Sequence, residues 1–186
     1  MNIYYYTTTT TSSFEITSAD GSGNTSGSLV VANIASNSNT NYYDSGIGGS
    51  DNYDRVYGLK IRGGIIYVGT TYKDNCSAIG GGGNGLGHVT ISGGIVTAVS
   101  SSTGTAIGGG IGQSSYGGDA NVTISGGKVY AYNFGRNYNN VFVAGVAIGG
   151  GSSQKSTGNR NTTVKITGGE VYAQSVGGVA IGGGSS

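Results

Sequence analysis

A ten-residue pattern recurs along this chain and limits what it can fold into. The stretch VTISGGKVYA at residues 122–131 recurs as VTISGGIVTA at 89–98 and VKITGGEVYA at 164–173, with a looser copy, LKIRGGIIYV, at 59–68. Each copy is followed, after a variable gap, by a second unit of Ile-Gly-Gly. The interval between equivalent isoleucines runs from about 28 to about 42 residues, and a period in this range is typical of solenoids and repeat arrays.

Apolar and polar residues alternate within each copy, which predicts two short strands with one buried face. Val122 and Ile124 precede the double glycine, and Val129 and Ala131 follow it. Such period-two alternation is the mark of a half-buried strand. Because glycine permits positive φ and close backbone approach, we expect the double glycines to turn the corners between strands. These corner residues are Gly63, Gly64, Gly93, Gly94, Gly126, Gly127, Gly168 and Gly169.

The Ile-Gly-Gly unit predicts a third strand and a further corner in each repeat. Like residues can then stack turn on turn, so we predict an all-β fold, a parallel β-helix (β-solenoid) of about five coils with three short strands each. The gaps at residues 111–121, 133–145 and 152–163 are rich in Gly, Ser, Asn or Tyr. They are predicted to be surface loops inserted between the strands.

The repeats divide the chain into three predicted parts. Residues 1–13 are expected to be an N-terminal leader or edge strand, residues 14–58 a degenerate capping coil, and residues 59–186 the regular β-solenoid repeats. Terminal repeats are commonly atypical because they cap the stack.

Composition favours an ordered protein and excludes several kinds of partner. Only 9% of residues are charged and the net charge is +1, so we expect no nucleic-acid partner. No apolar run reaches the roughly 18 residues of a membrane span, so we expect no membrane insertion. The 40 glycines suggest a disordered chain or a bundle of polyproline-II-like glycine helices. Periodic Val and Ile with 14 tyrosines favour the β protein over both alternatives.

The sequence contains no recognisable reaction centre. Its nearest carboxylate cluster, Asp51 and Asp54 with Asp44 upstream, fits no calcium-loop spacing. The single histidine, His88, and the single cysteine, Cys76, lack companions for a zinc site and are predicted to be loop residues. Cys76 is then expected to be available for cross-linking chains under oxidising conditions. We predict that the protein is not an enzyme and has no cofactor or metal site; a polysaccharide lyase or hydrolase is the least favoured hypothesis.

Outward positions after the corners form the best candidate binding surface. They are Tyr67, Thr97, Tyr130 and Tyr172, which fall in one column if the coils stack in register. Tyrosine rings can stack on the C–H face of a sugar, so Tyr67, Tyr130 and Tyr172 are a candidate glycan-binding site. The alternative is that they only stabilise the sheet as cross-strand stacks.

The units AIGGG at residues 106–110 and VTISGG at 122–127 resemble Gly-rich repeats of large microbial cell-surface proteins. The resemblance covers roughly residues 59–186. It implies a parallel β-helical stalk, an adhesin or a carbohydrate-binding module, at the cell surface or outside the cell. The Tyr/Asn-rich loops depart from that pattern, and the N-terminal MNIYYYT lacks the basic and apolar regions of a signal peptide.

These observations together predict a non-enzymatic structural or adhesive β-solenoid of a cell surface or extracellular filament. The closing residues 180–186 complete a repeat unit with no capping helix or charged tail. A free strand edge is therefore expected there, and with it end-to-end stacking or a continuing array. The expected partner is the protein itself, by end-to-end or lateral assembly; the alternative function, a carbohydrate-binding module or adhesin, would add a cell-surface polysaccharide.

Overall fold

The structure of the chain is a computed structural model with β-strands as its regular elements. It describes residues 3–4, 13–18, 20–23, 25–34, 45–49, 55–71, 75–101, 103–111, 118–138, 140–152 and 161–184. Over these residues every helix or strand assigned is a strand. This part of the chain holds no helix of the length and hydropathy needed to cross a membrane.

Most of the strands belong to three parallel sheets. The first sheet contains β2 (Phe14–Ile16), β5 (Val56–Ile61), β8 (Gly87–Ile91), β11 (Ala120–Ile124) and β16 (Thr162–Ile166). The second contains β3 (Ser28–Ile34), β6 (Ile65–Thr71), β9 (Ile95–Ser101), β12 (Lys128–Asn133) and β17 (Glu170–Ser175). The third contains β1 (Ile3–Tyr4), β4 (Ile47–Gly48), β7 (Ile79–Gly80), β10 (Thr105–Gly108), β15 (Val146–Gly150) and β18 (Val179–Gly183).

The chain visits the three sheets in the same order on every circuit, which makes five stacked coils. Coil 1 consists of β2, β3 and β4, and coil 5, at the other end, of β16, β17 and β18. We call the coil 1 end the head and the coil 5 end the tail. The predicted all-β parallel β-solenoid of five three-stranded coils is therefore confirmed.

Equivalent repeat residues stack in register, so the apolar residues form continuous columns inside the solenoid. Val122 pairs with Val89 on one side and Val164 on the other, and the isoleucines two positions later pair in the same way. Ile107 pairs with Ile79 and Ile148 in the third sheet. All three of these isoleucines are completely buried. One coil therefore buries its apolar residues only against its neighbours.

Glycine is required at the Ile-Gly-Gly unit for two separate reasons. The first glycine of the unit has a φ of 134° at Gly80 and 136° at Gly108, where L side chains are strained. A Cβ placed on Gly80 would also collide with the carbonyl oxygen of Gly108 in the next coil. The same close approach repeats at Gly48, Gly108 and Gly149, and we call these residues, with Gly80 and Gly182, the glycine column.

The double glycines lie at the corners between the first and second sheets. The second glycine of each pair has a positive φ, which is 80° at Gly94, and the first packs against the backbone of the coil before it. A Cβ on Gly93, for example, would collide with the carbonyl oxygen of Arg62. Equivalent positive values occur at Gly64 (88°), Gly127 (82°) and Gly169 (87°).

A column of buried hydroxyl groups supports the third sheet in the first three coils. The hydroxyls of Ser45, Ser77 and Thr105 donate to the carbonyl oxygen four residues ahead, at 2.6, 2.8 and 2.9 Å respectively. All three residues are completely buried, so these bonds satisfy groups that water cannot reach. In coils 4 and 5 the column continues as Val146 and Val179.

Polar residues form a second interior column, at the carboxyl ends of the second-sheet strands. Its members pair in register as Thr70, Ser100, Asn133 and Ser175. The Asn133 amide donates to the carbonyl oxygen of Gly104 at 2.6 Å, and the Ser175 hydroxyl donates to that of Gly145 at 2.8 Å. Both bonds hold the turn into the third sheet.

One predicted loop contains regular structure. Within the gap at residues 133–145, β13 (Arg136–Tyr138) and β14 (Val141–Val143) form an antiparallel hairpin. Asn140 in its two-residue turn has a φ of 63°, which asparagine tolerates better than most residues. The other two gaps lie partly outside the described residues, and their last residues already belong to β11 and β16.

The glycine column generates a stability prediction. We expect Gly80→Ala to destabilise the fold by at least about 3 kcal/mol, because it combines backbone strain with a collision against Gly108. Gly183→Ala is the matched control: its φ is not in the left-handed region, and the nearest atom to its Cβ would be the Thr162 hydroxyl at 3.8 Å. The control should change stability by about 0.5 kcal/mol or less. Urea unfolding followed by circular dichroism measures both; equal losses would contradict the prediction.

Candidate functional site

The tail of the solenoid exposes residues that coils 2, 3 and 4 bury. Ile166 is 43% exposed, whereas Ile124, its partner in coil 4, is completely buried. Ile181 is 45% exposed, and its partner Ile148 is again completely buried. The same inward positions of coil 5 make up the rest of this surface, which we call the tail face: Val164, Ile166, Val171, Ala173, Val179 and Ile181.

The backbone at the tail is uncovered as well. Strands β16, β17 and β18 are the outermost strands of their sheets over the described residues, so their outer rows of N–H and C=O groups face no described strand. At Gly149 a Cβ would collide with the carbonyl oxygen of Gly182 in the next coil. At Gly182 the nearest atom to such a Cβ is Val179 Cγ1 of the same coil, at 3.5 Å. The tail thus combines exposed core residues with strand edges, which favour pairing with another strand.

The head is partly covered. Phe14, Ile16 and Leu29 of coil 1 pack against the core and are only partly buried. The third sheet has an additional strand here, because β1 pairs with β4 through Ile3 opposite Ile47 and Tyr4 opposite Gly48. The head therefore has β2 and β3 as the edges of two sheets and β1 as the edge of the third.

Four of the charged side chains in the described residues form two surface ion pairs. Arg62 Nε lies 2.9 Å from Glu15 Oε2, and Lys128 Nζ lies 3.1 Å from Glu170 Oε2. The hydrogen bond and the charge of Glu170 raise the pKa of Lys128. All four side chains are about half exposed, so these pairs contribute little to stability.

The outward tyrosines occupy one column, and two of them stack on each other. Tyr67 pairs with Thr97, Thr97 with Tyr130, and Tyr130 with Tyr172. The rings of Tyr130 and Tyr172 have centroids 5.1 Å apart and planes that differ by 7°. Each ring thus covers one face of the other, and that face is not open to a sugar.

Tyr67 is separated from this pair and has a different contact. Thr97 lies between it and Tyr130 in the column. The Tyr67 ring leans along its own strand, so that its Cε1 would be 3.4 Å from a Cβ on Gly69. The three tyrosines of the candidate glycan site therefore do not form a continuous row of ring faces.

Further aromatic and apolar residues lie on the outward side of the second sheet. Val30, next to Tyr67 in the column, is 66% exposed. The rings of Tyr132 and Phe134 stack with centroids 6.4 Å apart. These residues have no repeat signal in the sequence, because Val30 lies in the degenerate repeat and Phe134 in a gap between repeats. These residue types indicate an aromatic surface only in combination with the register between the strands.

The structure changes the interpretation of the single histidine and cysteine. His88 was predicted to be a loop residue, but it lies in β8, with its ring 6.2 Å from that of Tyr57 in an edge-on arrangement. Cys76 is in no disulfide and is completely buried, so the expectation that it can cross-link folded chains is wrong. Asp44, Asp51 and Asp54 lie outside the described residues. Elsewhere, where side chains are described, no three His, Cys, Asp or Glu residues group as a metal site would require.

Comparisons with known proteins found that no family model, curated protein or solved structure matches the chain. The resemblance to microbial cell-surface repeats therefore stays a prediction that depends on the motifs alone.

The stack of Tyr130 on Tyr172 is predicted to contribute to the free energy of unfolding. We expect a double-mutant cycle of Tyr130→Ala and Tyr172→Ala to give a favourable coupling of about 0.5–1.5 kcal/mol, the range for aromatic pairs in contact. A parallel cycle from Tyr to Phe should leave stability nearly unchanged, because Phe retains the ring. Urea unfolding of the single and double variants supplies the four free energies, and a coupling near zero would show that the rings do not stabilise the sheet.

Proposed function

We propose that the protein is a non-enzymatic structural β-solenoid that assembles end to end into filaments at a cell surface or outside the cell. The observation that supports this most directly is the tail face, where Ile166 and Ile181 are nearly half exposed although the equivalent isoleucines of coils 2, 3 and 4 are completely buried. A surface of this kind on a soluble protein commonly marks an interaction site.

The tail face has the shape of a coil interface and not of a small-molecule pocket. Val164 and Ile166 are in register with Val122 and Ile124, so a further coil would bury them as coil 5 buries those of coil 4. Full burial of an isoleucine or valine contributes about 1.5–3 kcal/mol. The strands of the added coil would also pair with the edge strands of all three sheets. A second copy of the chain carries such a coil.

When the tail of one copy binds the head of the next, two different surfaces are in contact, which makes the interface heterologous. Copies added through such an interface form an open filament unless the rotation between neighbours closes a ring. Filaments are the expected product of a solenoid that stacks along its own axis. The resemblance of the repeats to microbial surface proteins supports an extracellular or cell-surface setting. The low charge of the chain, 9% of residues, is also suited to close packing of copies.

A carbohydrate-binding module or adhesin is the second candidate, because Tyr172 and Tyr67 remain 53% and 43% exposed. The stack of Tyr130 on Tyr172 argues against a site that uses all three rings. If the column nevertheless binds sugars, Tyr172→Ala should abolish binding on a glycan array while Tyr172→Phe retains it. Equal binding by both variants would exclude the column as the site.

Filament formation is tested by placing a charge in the tail face. We expect Ile166→Lys to abolish assembly, because a second coil would bury the ammonium group without a partner. Ser125→Lys is the matched control, since Ser125 is exposed at the corner that follows β11 in coil 4. Light scattering across a concentration series and electron microscopy report assembly. Strictly monomeric wild-type particles at all concentrations would overturn the proposed function.

A further inference from the structure

We propose that β1 blocks the head of the solenoid, so that a second copy stacks there only after β1 leaves the third sheet. This inference rests on the proposed function and specifies its partner: the occupant of the tail face is coil 1 of another copy. It depends on the number of strands in each sheet and on the residues that the two ends present.

Coil 1 carries the same column residues as the coils that already stack on one another. Ile47 and Gly48 stand at the head of the columns that end with Ile181 and Gly182. In the first sheet, Ile16 heads the column that ends with Ile166. A copy stacked in this register would continue the buried isoleucine columns and the glycine column across the junction.

Charge is complementary between the two ends. Glu15 and Lys165 are the first and last members of one outward column, whose inner members are Lys60, Thr90 and Thr123. In a head-to-tail stack, Lys165 of one copy becomes the direct neighbour of Glu15 in the next. A tail-to-tail stack runs the strands antiparallel, and where β16 pairs with β16 it brings two copies of Lys165 near each other without Glu15. The charges therefore favour a head-to-tail partner.

The number of strands shows why β1 interferes. Among the described residues the third sheet has six strands and the other two have five, because β1 is added at the head. If β2 and β3 of one copy pair with β16 and β17 of another, β4 must pair with β18. That edge of β4 is the one that β1 occupies. If β1 pairs with β18 instead, the first and second sheets each lack one strand at the junction.

Strand β1 is suited to being displaced. Over the described residues it is two residues long, with Ile3 opposite Ile47 and Tyr4 opposite Gly48. An incoming copy replaces this short pairing and adds the edges of the other two sheets at the same time. Protection of an edge by a short strand is a known means of preventing uncontrolled association. Assembly should then require a threshold concentration that β1 raises.

The full-length variant Ile3→Pro/Tyr4→Pro tests the role of β1, because proline lacks the N–H group that a ladder requires. We expect the critical concentration for assembly, measured by light scattering, to fall by about tenfold or more. Ile3→Val/Tyr4→Phe keeps strand-forming residues and should match the wild type. Ile3→Gly/Tyr4→Gly weakens β1 by another route, and should shift the threshold in the same direction if the proline variant misfolds.

Exchanging the charges of Lys165 and Glu15 tests whether coil 1 is the partner of the tail face. Lys165→Glu should raise the critical concentration about tenfold. The double variant Lys165→Glu/Glu15→Lys should assemble at a lower concentration than Glu15→Lys alone, which is the control for the lost ion pair with Arg62. Dimers that do not elongate would show tail-to-tail contact and overturn the assignment of coil 1 as the partner.

The outcomes separate this inference from the proposed function. Filaments that form at the same concentration with and without β1 pairing overturn the blocking role and leave the filament function intact. Assembly of the proline and glycine variants at a lower concentration than the wild type supports the blocking role. Failure of every variant to assemble overturns both proposals.

Discussion

The close backbone contact at the glycine column is the constraint on which the rest of the structure depends. Gly80 can approach the carbonyl oxygen of Gly108 only because it has no Cβ, and the hydrogen bond from Gly81 N to Gly108 O at 2.9 Å joins the two coils there. A slip of one residue in one direction would put Ile79 at this position, and a slip in either direction would turn the apolar face of the strand outward. The contact thus fixes the register, and the register builds the columns of the core, the hydroxyls and the tyrosines.

Sequence periodicity was sufficient to predict the solenoid and its inward residues, because Val122, Ile124, Val129 and Ala131 each have a partner at the same position of every regular repeat. It was insufficient wherever the chain does not repeat. The hairpin of β13 and β14 occurs once, and its turn depends on a single asparagine, Asn140. Strand β1 has no repeat motif, and its position depends on pairing with residues more than 40 positions later.

The buried polar residues could not be recognised from residue type alone. Ser45, Ser77 and Thr105 belong to residue types that are abundant in the loops of this chain, and only their burial distinguishes them. The tyrosine column was predicted correctly as an alignment, but a sequence does not show whether rings in a column face one another or face solvent. The stack of Tyr130 on Tyr172, 5.1 Å apart, settles that for one pair. The candidate interaction surface is therefore the tail face at the end of the stack, in place of the column of tyrosine side chains.

The parallel coils also have a mechanical consequence. Backbone hydrogen bonds between coils point along the stacking axis, as from Ile47 N to Ala78 O at 3.0 Å and from Ser92 N to Ile61 O at 2.8 Å. Tension along that axis is therefore shared by three ladders at every coil boundary. The third-sheet ladders between coils 1 and 2 and between coils 2 and 3 each pair only two residues on each strand. A stretched solenoid yields first on that side, so it bends before it breaks.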